Sequence, residues 1–155
     1  MGVSIRVYTD IKETNEEESD FRAFTLEGFE DRIKNLKFNS YYKGKYEGTF
    51  ISYPCSSHNI FRQNLAILID KPKGFWYEYD YHTYRINKNV PFYELFEFAD
   101  NEGCIDYESS EELYKDFNHY KNIAKDQLSN EIFEYYEEWL NIFSIARNKG
   151  VVVFR

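Results

Sequence analysis

The chain has 155 residues, enough for one domain with an ordinary core and no need of covalent staples. Hydrophobic residues make up 43% and aromatics 20%, with 15 Tyr, 14 Phe and 2 Trp, which excludes a disordered chain although 30% of residues are charged. The formal charge of −8, from 19 basic and 27 acidic residues, disfavours direct contact with phosphate backbones and anionic lipid.

No apolar run approaches the roughly 20 residues of a membrane span, and the N-terminus carries no signal-peptide core. Two cysteines, Cys55 and Cys104, are too few for a disulfide framework and lack metal-ligand spacing. A cytoplasmic protein with reduced thiols is expected.

At the N-terminus Val3, Ile5 and Val7 alternate with Ser4, Arg6 and Tyr8, the pattern of a half-buried strand. Residues 10–20, with Glu13, Glu16, Glu17 and Glu18, read as a solvated loop or a frayed helix start. Thr25 can cap a helix with Phe29, Ile33 and Leu36 on one face. From Tyr41 to Pro54 the pattern changes to period two, and its glycines point to an irregular or edge strand rather than a central one. A helix starting at Ser56 or Ser57 is expected to bury Ile60, Phe61, Leu65, Leu68 and Ile69 before Pro72.

The stretch 75–86 is a strand or an extended aromatic loop, containing Tyr77, Tyr79 and Tyr81. Pro91 opens a short helix with Phe92, Leu95 and Phe96 inward. An acidic turn, Asp100-Asn101-Glu102-Gly103, follows, with positive φ expected at Gly103. The next helix is placed at Ser109, whose Ser109-x-x-Glu112 spacing forms a capping box, with Leu113, Phe117, Tyr120 and Ala124 inward. A last helix from Ser129 or Asn130 buries Ile132, Tyr136, Trp139, Phe143 and Ala146, and Gly150 occupies the place of a left-handed C-terminal cap. Val151-Val-Val-Phe154 is apolar on both faces, so it belongs in the middle of a small sheet beside Val3–Val7. The reading is a single α+β domain over residues 1–155, several helices packed on a small sheet that includes the N-terminal and C-terminal strands.

The acidic turn invites a calcium site, but neither register of a calcium-binding helix–loop–helix places carboxylates at its first and twelfth positions together with glycine at its sixth. What is left there is a looser divalent-ion possibility using Asp100, Glu102 and Asp106. Glu112, Asp116 and His119 share a helix face, but the second Asp/Glu-x-x-His motif that a carboxylate-bridged metal pair requires is missing. Cys55 with His58 sketches a thiol–imidazole pair without a nucleophile motif or an oxyanion loop around it. No phosphate loop, dinucleotide glycine pattern or zinc spacing is present, and no cofactor is implied.

Asn59-Ile-Phe-Arg-Gln-Asn-Leu-Ala66, the turn Asp100-Asn-Glu-Gly-Cys-Ile105 and Leu113-Tyr-Lys-Asp-Phe117 together resemble a family of small uncharacterised bacterial and phage-associated proteins. Ala146–Phe154 resembles the family's ending as well. Many members carry His-Ser before the turn aspartate, where this chain has Phe98 and Ala99. The resemblance implies no established activity.

The leading expectation is a non-enzymatic acidic protein that binds a protein partner, of inhibitor or immunity type. Such a protein can mask a basic nucleic-acid-binding surface by presenting carboxylates where phosphates would sit. Its binding residues are expected among Tyr77, Tyr79, Tyr81, Asp100, Glu102 and Asp106, because tyrosine combines a rigid apolar ring with a polar tip at interfaces. The rivals are a metal-dependent hydrolase or divalent-ion-binding protein centred on the Asp100–Asp106 turn, and a structural or regulatory domain.

Overall fold

A computed structural model describes residues 2–24, 33–72, 89–97 and 103–155. Among these residues five strands and five helices follow in the order β1 (Gly2–Thr14), β2 (Phe21–Arg22), β3 (Tyr41–Pro54), α1 (Cys55–Leu68), α2 (Tyr93–Glu97), β4 (Gly103–Asp106), α3 (Tyr107–His119), α4 (Lys121–Gln127), α5 (Asn130–Ala146) and β5 (Val151–Phe154). The strands form one antiparallel sheet in the order β2-β3-β1-β5-β4. This is the expected α+β fold, and both terminal strands lie in its sheet.

Alternation along the strands divides the core between the two faces of the sheet. Val3, Ile5 and Val7 of β1, Ile51 of β3, Ile105 of β4 and Val152 and Phe154 of β5 face the helices. The intervening Tyr8, Tyr42, Cys104, Val151 and Val153 form a smaller core on the other face, closed by Phe21, Ala23 and Ile33. A strand apolar on both faces is stable only between two such layers. That requirement puts β5 between β1 and β4, with Ile5 opposite Phe154 and Tyr8 opposite Val151.

Strand β1 continues to Thr14 rather than breaking at Asp10. The polar run from Asp10 stays extended because β3 supplies its ladder partners, Lys12 opposite Lys43 and Thr14 opposite Tyr41. The register slips between Thr9 and Lys12, where Asp10 takes φ 50°, so β1 carries a bulge there. The bulge turns Ile11 onto the same face as Tyr8. Strand β3 has the expected bounds, and beyond Tyr42 it pairs with β1 alone among the described residues. It also slips twice, on either side of Gly48 (φ 143°), in keeping with the irregular strand its glycines imply.

The helices pack on one face. Trp139 of α5 is fully buried, with its ring stacked against Phe61 of α1, Phe143 of α5 and Phe154 of β5. Tyr136, one turn earlier, donates its hydroxyl proton to the Phe117 carbonyl at 2.5 Å, which ties α5 to α3. Each fully buried aromatic or aliphatic side chain of this core contributes roughly 1.5–3 kcal/mol. In α1, Phe61, Leu65 and Leu68 point inward as their spacing requires, but Ile60 is 51% exposed. Its neighbours His58 and Arg62 take the inward places on either side of it.

Ser129 caps α5 by accepting from the Ile132 amide. At the far end of α5 the left-handed residue is Lys149 (φ 52°) and not Gly150. Gly150 is needed for a different reason. A Cβ there would lie 2.6 Å from the Tyr8 carbonyl oxygen and 2.8 Å from that of Ala146. Residue 150 immediately precedes β5, four residues after α5 ends, where the chain comes beside β1. Of the helix expected from Thr25 through Leu36, residues 25–32 lie outside the described ones, and its last turn does not form: Ile33 to Leu36 are irregular.

Candidate functional site

The sequence-derived site residues do not come together as a set. Tyr77, Tyr79, Tyr81, Asp100 and Glu102 lie outside the described residues. Asp106 is described, and it is fully buried. It stands at the end of β4 as the N-cap of α3, accepting the Ser109 amide at 3.1 Å on one carboxylate oxygen. Its second oxygen accepts the amides of Asn35, at 2.7 Å, and of Lys34. Three backbone donors from two chain segments thus converge on one side chain.

The helix after the acidic turn therefore starts at Tyr107, two residues before the expected Ser109. Ser109 is the third helical residue, where it gives its amide to the cap instead of acting as one. The residues just before it form β4, a strand too short and too close to the turn to be read from alternation. Gly103 opens β4 with φ 102°, the positive value expected of it.

Glu112, no longer part of a capping box, is free to face outward from α3 towards two residues that sequence spacing does not connect with it. Its carboxylate accepts from Lys34 Nζ at 2.8 Å, and the same ammonium lies 3.9 Å from Glu94 of α2. Glu94 is only 3% exposed. Burial first, then a hydrogen bond with Glu112, pushes its carboxyl up to about 8, so Glu94 holds the proton of the pair in neutral solution. Partial burial acts to raise Glu112 too, but its hydrogen bonds with Glu94 and Lys34 prevail and keep it below the ordinary carboxylate value. Lys34 is raised, because the attraction of Glu112 and Glu94 outweighs its own desolvation. One signal for Glu94 was present in the sequence: a lone acid within the apolar run Phe92-Tyr-Glu-Leu-Phe96.

One turn further along α3, Asp116 accepts the Phe92 amide at 3.0 Å and so holds the entry to α2, where Phe92 has φ 60°. Desolvation raises the Asp116 carboxyl above its ordinary value. His119 packs its ring edge-on against Tyr120, with centroids 4.9 Å apart. The shared helix face of Glu112, Asp116 and His119 thus serves joints to α2 and to Lys34. Among the described residues no group of three His, Cys, Asp or Glu side chains could hold a metal ion.

His58 lies in the core between Trp139 and Phe154. Burial, and after it the charge of Arg62, pushes the imidazole well below its ordinary value, so it is neutral. The Cys55 side chain lies outside what the structure describes. Cys104 is a free, fully buried thiol that burial pushes up to about 12, which leaves no thiolate for attack. No helix among the described residues is long and apolar enough to cross a membrane.

Two surfaces bear on binding. Of the described tyrosines, Tyr8, Tyr42, Tyr93 and Tyr136 are buried, and Tyr46 is exposed. Tyr46 and Phe38 are the exposed tyrosine and phenylalanine rings among the described residues. The outer face of α5 is different: Glu131, Glu134, Glu137 and Glu138 are all exposed there, and the helix contains no basic residue. Elsewhere Glu13 pairs with Lys37, Glu47 with Lys45 and Glu111 with Arg147. Comparison with protein-family models, with curated proteins and with solved structures returned no match.

Proposed function

We propose that the chain is a non-enzymatic binding protein whose outer α5 face engages a basic surface on a protein partner, in the manner of an inhibitor or immunity factor. The observation that carries this reading is the run of exposed acids Glu131, Glu134, Glu137 and Glu138 on one helix. Glu131 sits in the first turn and is favoured there by the helix dipole. Glu134, Glu137 and Glu138 gain nothing of that kind. Glu134 and Glu138 are four residues apart, a like-charge spacing that costs an isolated helix about 0.2–0.5 kcal/mol. A face that weakens the fold slightly has the properties of a surface kept for an external cation.

The partner it suits is a protein with clustered Lys and Arg, including one whose basic surface otherwise holds nucleic acid. The test is affinity capture from the native host with the full chain as bait, in parallel with a Glu134→Gln/Glu137→Gln/Glu138→Gln triple variant. A basic protein retained by the parent, lost by the variant and released by moderate salt is the expected result. Capture of the same proteins by both baits would sink the reading.

A further inference from the structure

Glu94, Glu112 and Lys34 meet where three short pieces of chain join: the segment after β2, the five-residue helix α2, and α3. Two carboxyl groups lie within 4 Å of one ammonium. Glu94 is enclosed on the inner side, whereas Glu112 is half exposed. We infer that this triad is a pH-sensitive latch, which holds α2 against α3 while Glu94 carries a proton and releases α2 in alkaline solution.

The geometry supplies the two states. With its proton, Glu94 makes a hydrogen bond with Glu112 and leaves Lys34 to neutralise Glu112 at 2.8 Å. Without it, two facing negative charges share Lys34, which cannot hold both at contact distance in its present place. The groups around them do not compensate. From α3, Glu108 and Asp116 add negative charge near the triad, Lys115 draws on Glu112, and His119 acts on Asp116. From α1, the buried Arg62 directs its guanidinium to the Phe96 carbonyl at the other end of α2. Ionised Glu94 therefore reaches water most readily by moving out with α2, which is one and a half turns long and is fastened at its start by Asp116 on the Phe92 amide. The raised carboxyl of Glu94 sets the change in mildly alkaline solution.

The amides of Leu95 and Phe96 report on the latch, because both donate to the Phe92 carbonyl just before α2, at 3.0 and 3.2 Å. Their hydrogen exchange, measured in the full chain from pH 6.5 to 9.5, is compared at each pH with that of Glu94→Gln, which keeps the hydrogen-bonding shape and cannot ionise. The expected outcome is equal exchange at pH 6.5 and exchange at least tenfold faster in the parent at pH 9.5, with the amides of Trp139 and Phe143 unaffected. Parent and variant that track each other through the whole range would overturn the latch.

Glu112→Gln supplies a second arm on a residue that faces solvent. Removing the opposing charge leaves Lys34 to Glu94 alone, so most of the alkaline acceleration should vanish. Acceleration that persists in this variant at the parent level refutes the proposal, even if Glu94→Gln fails to fold.

Discussion

Replacement of Asp106 by alanine tests the central structural claim, that one buried carboxylate joins β4, α3 and the segment at residues 34–35. The substitution leaves three backbone amides without their acceptor: Ser109 in the buried first turn of α3, and Lys34 and Asn35 in a partly buried segment. A buried donor left without a partner costs about 1–3 kcal/mol. Water can reach the two partly buried amides, so roughly 1 kcal/mol each is appropriate for them and about 2 kcal/mol for Ser109. The total is a loss of about 4 kcal/mol, a large fraction of the stability of an ordinary domain. Urea denaturation at pH 7 measures it as a lower midpoint with an unchanged slope. Asp106→Asn is the informative control. Its amide offers one oxygen and one nitrogen, so it can satisfy one side of the joint and must oppose a donor with a donor on the other. It should fall between parent and Asp106→Ala. A loss below about 1 kcal/mol in the alanine variant would mean that the joint does not organise this corner of the fold, and the aspartate would again be available for a ligand.

Gly150→Ala should cost about 3 kcal/mol, the upper end for overpacking, because the new methyl meets two backbone carbonyls that cannot rotate away; thermal unfolding will show it. Gly103→Ala should lose about 1–2 kcal/mol from backbone strain at φ 102°, and equal urea midpoints would count against the turn's need for glycine. His58 is neutral in the fold and takes up a proton on unfolding, so its contribution is present above 6.5 and is lost as pH falls below that value. His58→Phe should therefore gain on the parent by up to about 1.4 kcal/mol per pH unit between pH 6 and 5, read from paired urea titrations. Glu134→Gln/Glu138→Gln should leave the protein as stable or a few tenths of a kcal/mol more stable, since it relieves a repulsion. A loss above 1 kcal/mol would reveal a structural role for those acids.

What was legible in the sequence was whatever local periodicity and punctuation determine. Strand β3 could be bounded because period two begins at Tyr41 and Pro54 ends it, and α5 because Ser129 caps an unbroken apolar stripe. The central place of β5 followed from four apolar residues with no polar face. The errors occur where a distant segment decides. Residues 10–14 look solvated until β3 lies beside them, and Ser109-x-x-Glu112 has the form of a cap until the Asp106 carboxylate is seen one turn earlier. Lys34 and Glu112 are 78 residues apart in sequence, and no spacing rule connects them. Gly150 has the sequence position of a left-handed cap, yet the constraint on it is its contact with the Tyr8 carbonyl of the neighbouring strand.

The acids of the described residues divide by whether the fold uses them, and the division bears on where the proposed binding surface lies. Around the turn, where carboxylates are densest in sequence, Asp106 is occupied by three amides, Asp116 by a fourth, and Glu94 with Glu112 by each other and Lys34. A partner would have to break those joints to use them, at a cost comparable to that of Asp106→Ala. The acids of α5 carry no such obligation, and two of them repel each other across one helical turn. Binding free energy is available from a charged side chain only to the extent that its own fold has not already neutralised it. On that ground the α5 face, rather than Asp106, Asp116, Glu94 or Glu112, is where an electrostatic partner gains most. Charge substitutions there should alter association while leaving the melting temperature nearly constant, whereas substitution of Asp106 should do the reverse.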